Sequence, residues 1–143
     1  TSAQANGRYY ASSGAQGYHI VLKTNDTYDL YRIDSLKSKS SSCDNQTWSI
    51  NTQTLLGNYT FPNNNLIFVE DNLWVDGQIN SARLTIASAK FPENSTTNTS
   101  ITINNDLKYT NLDGQDVIAL IAQKDINIGL YSEDDLVVSG ALI

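Results

Sequence analysis

Few residues in this chain could carry out chemistry. There is one histidine, His19, and one cysteine, Cys43. A Ser–His–Asp relay or a histidine metal centre would have to be built on His19. That residue lies inside Tyr18-His19-Ile20-Val21-Leu22-Lys23, which reads as a strand, and no Gly-x-Ser-x-Gly turn is present to raise a nucleophile. The expectation is an ordinary strand histidine. Cys43 sits in the polar run Ser40-Ser41-Ser42-Cys43-Asp44. A lone thiol closes no internal disulfide, and this one reads as an incidental loop cysteine rather than a catalytic one.

Carboxylates offer more. Glu70, Asp71 and Asp76, and then Glu133, Asp134 and Asp135, fall at corners between apolar segments. The stretch Asn111-Leu112-Asp113-Gly114-Gln115-Asp116 has a faint likeness to a calcium loop, with Asp113 and Asp116 as weak candidate ligands. Calcium takes six to eight oxygens, including a bidentate carboxylate, and this loop lacks the full pattern, so solvated corner residues are expected. Paired carboxylates across a groove could also hydrolyse glycosides. No cofactor is implied.

The aromatic side chains with a polar handle can stack on sugar rings or anchor a protein interface. Trp74, between Leu73 and Val75, faces the other way from both in a strand. It is the leading candidate contact residue, with Tyr109 and Tyr31 as further candidates.

The elements that must position these residues are written in a recurring phrase. Asp71-Asn72-Leu73-Trp74-Val75, Asn105-Asp106-Leu107-Lys108-Tyr109, Lys124-Asp125-Ile126-Asn127-Ile128 and Asp134-Asp135-Leu136-Val137-Val138 each join a polar corner to an apolar–x–apolar triplet. A repeated corner and short strand is how a coiled β architecture is encoded, each coil covering its neighbour's apolar face. Leu107 to Ile126 spans 19 residues, and Ala119-Leu120-Ile121 recurs as Ala141-Leu142-Ile143 after 22. The run Val117–Ala122 reads as a strand buried on both faces.

Before the repeats, Tyr18–Lys23, Thr24-Asn25-Asp26-Thr27 and Tyr28–Ile33 read as a hairpin, since Asn and Asp tolerate the positive φ of tight turns. Pro62-Asn63-Asn64-Asn65 and Asp76-Gly77 read as turns, and residues 90–100 as an inserted loop. Thr47–Ile50 and Leu55–Phe61 read as short strands. No segment carries a sustained helical stripe with caps. The predicted class is all-β: a flexible lead-in over 1–17, a β-hairpin region over 18–61, and a short β-solenoid over 62–143.

Composition sets limits on partners. The chain has 143 residues and a net charge of −6, and Asn, Ser and Thr make up roughly 30% of it. Phosphate binding needs clustered Lys and Arg, so nucleic acid is not an expected partner. No apolar run reaches the roughly 20 residues that cross a bilayer. Thr1 is read as a processing boundary behind a missing anchor, which would be the only membrane link, and the chain is expected to continue past Ile143.

Leu66-Ile-Phe-Val-Glu-Asp-Asn-Leu-Trp-Val-Asp-Gly-Gln-Ile, Arg83-Leu-Thr-Ile-Ala-Ser-Ala and Asn104 to Gln123, most specifically Asp113-Gly114 and Leu120-Ile121-Ala122-Gln123, resemble a group of bacterial pilus-assembly-associated envelope proteins. These have an amino-terminal pilin-like helix and a β-rich exported region. The resemblance covers about residues 60–143, implies export and transfers no catalytic residue. Together these readings predict a non-enzymatic, extracellular structural or adhesive module of a bacterial surface appendage. It would self-associate or meet pilus subunits through an open coil end. The alternative is a carbohydrate-binding module or, further off, a glycoside hydrolase. An ice-binding surface would need a regular Thr-x-Thr ladder, which the chain lacks.

Overall fold

The computed structural model describes residues 6–39 and 47–143, so Cys43 lies outside the described residues. The chain is all-β. In order, its strands are β1 (Arg8–Tyr10), β2 (Gly17–Leu22), β3 (Thr27–Leu36), β4 (Ile50–Thr60), β5 (Leu66–Val69), β6 (Leu73–Ile79), β7 (Arg83–Ser88), β8 (Ile101–Thr102), β9 (Leu107–Tyr109), β10 (Val117–Ala122), β11 (Ile126–Asn127) and β12 (Ala141–Leu142). They form two sheets. One is wholly parallel, in the order β1-β5-β7-β10-β12. The other is mixed, in the order β11-β8-β6-β2-β3-β4, with β9 also on β6. In the mixed sheet β2–β3 and β3–β4 are antiparallel, while β2–β6, β6–β8, β6–β9 and β8–β11 are parallel.

From β5 onward the chain passes back and forth between the sheets, with β8 and β9 falling one after the other in the mixed one. Strands β5, β7, β10 and β12 each lie parallel to the one before, while β8 and β9 both lie parallel to β6 and β11 lies parallel to β8. Apolar side chains therefore fall into register. In the parallel sheet Ile67 lies beside Ile86, Ile86 beside Leu120, and Leu120 beside Leu142. In the mixed sheet the rank is Tyr18, Leu73, Ile101 and Ile126. Apart from Leu142, these ranks belong to or pack on one apolar core that also takes in Ile20, Leu30 and Val75. Parallel strands expose no backbone ladder to water where both faces are covered, and the core supplies that cover on the inner side.

The two ends of this core differ. At one end, Tyr10, Tyr28, Tyr59 and Phe61 pack together, with the Tyr10 and Tyr28 hydroxyls 2.6 Å apart. Burial, followed by that hydrogen bond, raises the Tyr28 pKa well above that of an ordinary tyrosine. At the other end β11 and β12 are edge strands, and Leu142 and Ile143 are 48% and 71% exposed.

The predicted hairpin is β2–β3, with Asp26 at φ 59° in its tip. The turn at Pro62 closes with Asn65 N–H donating to Pro62 O at 2.8 Å. Several expectations are corrected. Asp76-Gly77 is not a turn but the middle of β6: Gly77, at φ 106°, lets β6 approach so closely that a Cβ there would sit 2.2 Å from Leu22 O. Strand β10 is buried on one face only, with Ile118 and Leu120 inside and Val117 and Ile121 outside. Leu107 and Ile126 are not stacked neighbours. Leu107 lies beside Gly77 and bridges Val138, whereas Ile126 lies beside Ile101. The 22-residue recurrence does hold, since Ala119 pairs with Ala141. Within the predicted lead-in, Arg8–Tyr10 forms β1 because Tyr10 packs into the core beside Val69. Thr47–Ser49 precede β4 rather than forming a strand.

Candidate functional site

The outer face of the mixed sheet is unusual because part of it is buried. Its central rank runs Tyr31, His19, Trp74, Thr102, Asn127 from β3 to β11. His19 and Trp74 are only 6% and 2% exposed, although Leu73 and Val75 face the core on the opposite side. The cover comes from residues 47–49 and 128–130. Leu130 N–H donates to Thr47 O at 3.0 Å, and Gly129 N–H donates to Asn104 Oδ1 at 2.8 Å. A Cβ on Gly129 would fall 2.3 Å from that same oxygen and 3.0 Å from Thr47 O, so a larger residue there would push against both Asn104 and the 47–49 segment.

Two polar arrangements stand on this face. In the first, His19 Nε2 lies 2.8 Å from Asp76 Oδ2, and His19 Nδ1 lies 2.8 Å from Gln53 Oε1. Asn105 Nδ2 donates to the same Asp76 oxygen at 2.9 Å, and the Tyr31 ring stacks on the imidazole. Facing a carboxylate, Nε2 carries hydrogen and donates. Both ring nitrogens are engaged and buried, so this pair ties β2, β4 and β6 together and leaves no free nitrogen aimed at a groove.

The second arrangement centres on Trp48. Its backbone has φ 54°, a left-handed conformation that is costly for a bulky side chain. Two side chains hold it there. Trp74 Nε1–H donates to Trp48 O at 2.8 Å, and Asn104 Nδ2–H donates to the same oxygen at 2.7 Å. Thr47 and Ser49, on either side, are buried. The half-buried Trp48 ring lies tilted over that of Trp74, with centroids 6.3 Å apart. It borders a groove of about 500 Å³ shared with Ser100, Lys124, Asp125, Asn127, Ile128 and Leu130.

The predicted contact residues do not converge. Trp74 is not a wet contact but the buried floor beneath Trp48, because residues 47–49 cover the face that the strand pattern leaves open. Tyr31 serves His19, and Tyr109 packs on the core with its hydroxyl accepting from Ile118 N–H at 3.0 Å. Asp113 Oδ1 accepts from Gln115 N–H within its own turn. Asp116 is buried and accepts from Ala82 N–H at 3.1 Å and Asn111 N–H at 2.7 Å. Burial pushes the Asp116 pKa up, but its backbone donors outweigh that and hold it below the usual carboxylate range. Asp106 is likewise lowered, by Lys108 first and then by Val137 N–H. Among the described residues, no group of three or more His, Cys, Asp or Glu side chains could hold a metal ion. Trp48 itself was the missed residue. Its only sequence signal is a large aromatic flanked by Thr47 and Ser49, which reads equally well as a short strand.

No family model, no curated protein and no solved structure matches this chain.

Proposed function

We propose that this chain is a non-enzymatic, extracellular structural or adhesive module of a bacterial surface appendage, folded over residues 62–143 as a short β-solenoid. The observation that carries this reading is that β5, β7, β10 and β12 stack in parallel in one sheet while the intervening β6, β8, β9 and β11 join the other through parallel pairings only. Coils of this kind bury a continuous core and leave long polar faces, as the Asn-, Ser- and Thr-rich composition allows. The likeness of residues 60–143 to pilus-associated envelope proteins supports the location. Immunogold labelling of appendages sheared from cells producing the protein is expected to decorate them. Label confined to the cytosol would overturn the assignment.

In this reading, subunit contact forms at the end that carries Leu142 and Ile143, with a second copy of this chain as the partner. A single two-fold operation would match both free edges at once, β12 with β12 and β11 with β11. Sedimentation at about 0.15 M salt, where repulsion between acidic chains is screened, is expected to show a concentration-dependent dimer that Leu142→Lys abolishes. A monomer at every concentration would remove the contact.

A further inference from the structure

We infer that the groove beside Trp48 is a binding site for a neutral saccharide, a site independent of whether the chain belongs to an appendage. Three observations converge on it. First, the indole is held in place. A bulky residue at φ 54° persists only where its surroundings fix it, and here Trp74 and Asn104 both donate to its carbonyl. Folding the chain this way costs free energy, and its result is to set one aromatic ring at the mouth of a groove. Second, the opposite wall is equally fixed, because Gly129 is clamped on Asn104 and Leu130 on Thr47. A site that is already ordered loses little entropy on binding.

Third, the lining suits a sugar. A pyranose has a face of C–H groups and a rim of hydroxyls. The face matches an indole and the neighbouring Ile128 and Leu130, which are exposed at 61% and 58%. The rim needs both donors and acceptors, which Lys124, Asp125 and Asn127 supply. Lys23, Arg32 and Lys108 are each paired with a carboxylate. Among the described residues Lys124 and Asp125 are in no such pair, and both line the same groove with charges of opposite sign. With the two charges offsetting, a neutral ring is favoured over an acidic one.

The probes are tetrasaccharides of glucose, mannose, galactose and N-acetylglucosamine, with tetragalacturonate as the charged comparison. Each is titrated to about 5 mM against the full chain, followed by tryptophan fluorescence and calorimetry, since millimolar dissociation constants suit a shallow site. At least one neutral tetrasaccharide is expected to bind. Trp48→Ala should weaken it by about tenfold or more, in line with stacking on one aromatic ring. Because Trp48 also covers Trp74, Asp125→Ala and Asn127→Ala serve as variants that leave the indole in place. Each is expected to weaken binding by about threefold to tenfold, as for loss of one hydrogen bond. No binding of any neutral probe overturns the inference. So does binding of the charged probe alone, or neutral binding that Asp125→Ala and Asn127→Ala both leave unchanged.

Discussion

Ile86→Ala should be among the most damaging single substitutions in this protein, and Leu142→Ala, in the same rank, among the mildest of core type. Ile86 is 0% exposed and sits between Ile67 and Leu120, whereas Leu142 ends the rank at 48% exposure. Truncating Ile86 removes three buried carbons, about 2.4 kcal/mol of transfer free energy at roughly 0.8 kcal/mol each. The cavity it leaves is walled by strands on both sides and cannot collapse fully, so the total should reach about 3–4 kcal/mol. At Leu142 about half of the transfer is already lost and no closed cavity forms, giving about 1 kcal/mol. Urea titration followed by circular dichroism, with both variants at one protein concentration, measures the difference. A midpoint shift for Leu142→Ala as large as that for Ile86→Ala would refute the reasoning, as would a cost below about 1 kcal/mol for Ile86→Ala.

Other substitutions probe the positions that hold the outer face and the loops. Gly77→Ala places a Cβ against Leu22 O at φ 106°, and should cost about 3 kcal/mol or prevent folding, read as loss of soluble protein or of thermal stability. His19→Ala leaves Asp76 buried with one donor fewer, and should destabilise by about 2–3 kcal/mol in the same urea assay. Asp29, Asp34, Asp106 and Asp116 all have lowered folded-state pKa values, so their contribution is present above the unfolded carboxylate value and lost as pH falls through the folded ones. Thermal stability is therefore expected to be level near neutrality and to drop below about pH 4. Asp116→Ala should speed amide exchange at Ala82 and Asn111, two of its backbone donors, and unchanged protection there would contradict the role assigned to that carboxylate.

Much of the strand content was legible because it follows from period-two patterns with one buried face. Leu107–Tyr109 and Val117–Ala122 were predicted with their observed bounds, and the Ala119 and Ala141 triplets do lie side by side. The register was less legible. Spacing alone paired Leu107 with Ile126, because loops of different length, such as residues 90–100, separate strands that end up adjacent. Gly77 read as a turn because an Asp-Gly pair signals one locally, and only the partner strand reveals that the glycine admits Leu22 O. The outer face was the least legible part. Trp74 alternates with core residues and so predicts a wet side chain, yet a segment 26 residues away in sequence covers it. No local pattern encodes such cover.

The arrangement of β7, β10 and β12 tests the architecture most directly. In a nuclear Overhauser spectrum of isotope-labelled protein, Ile86, Leu120 and Leu142 should give interstrand amide-to-Hα contacts in the staggered pattern of parallel strands, each only with its neighbour in that order. Close Hα–Hα contacts between any two of these strands would mean antiparallel pairing, and that result would contradict the two-sheet parallel arrangement on which the proposed function stands.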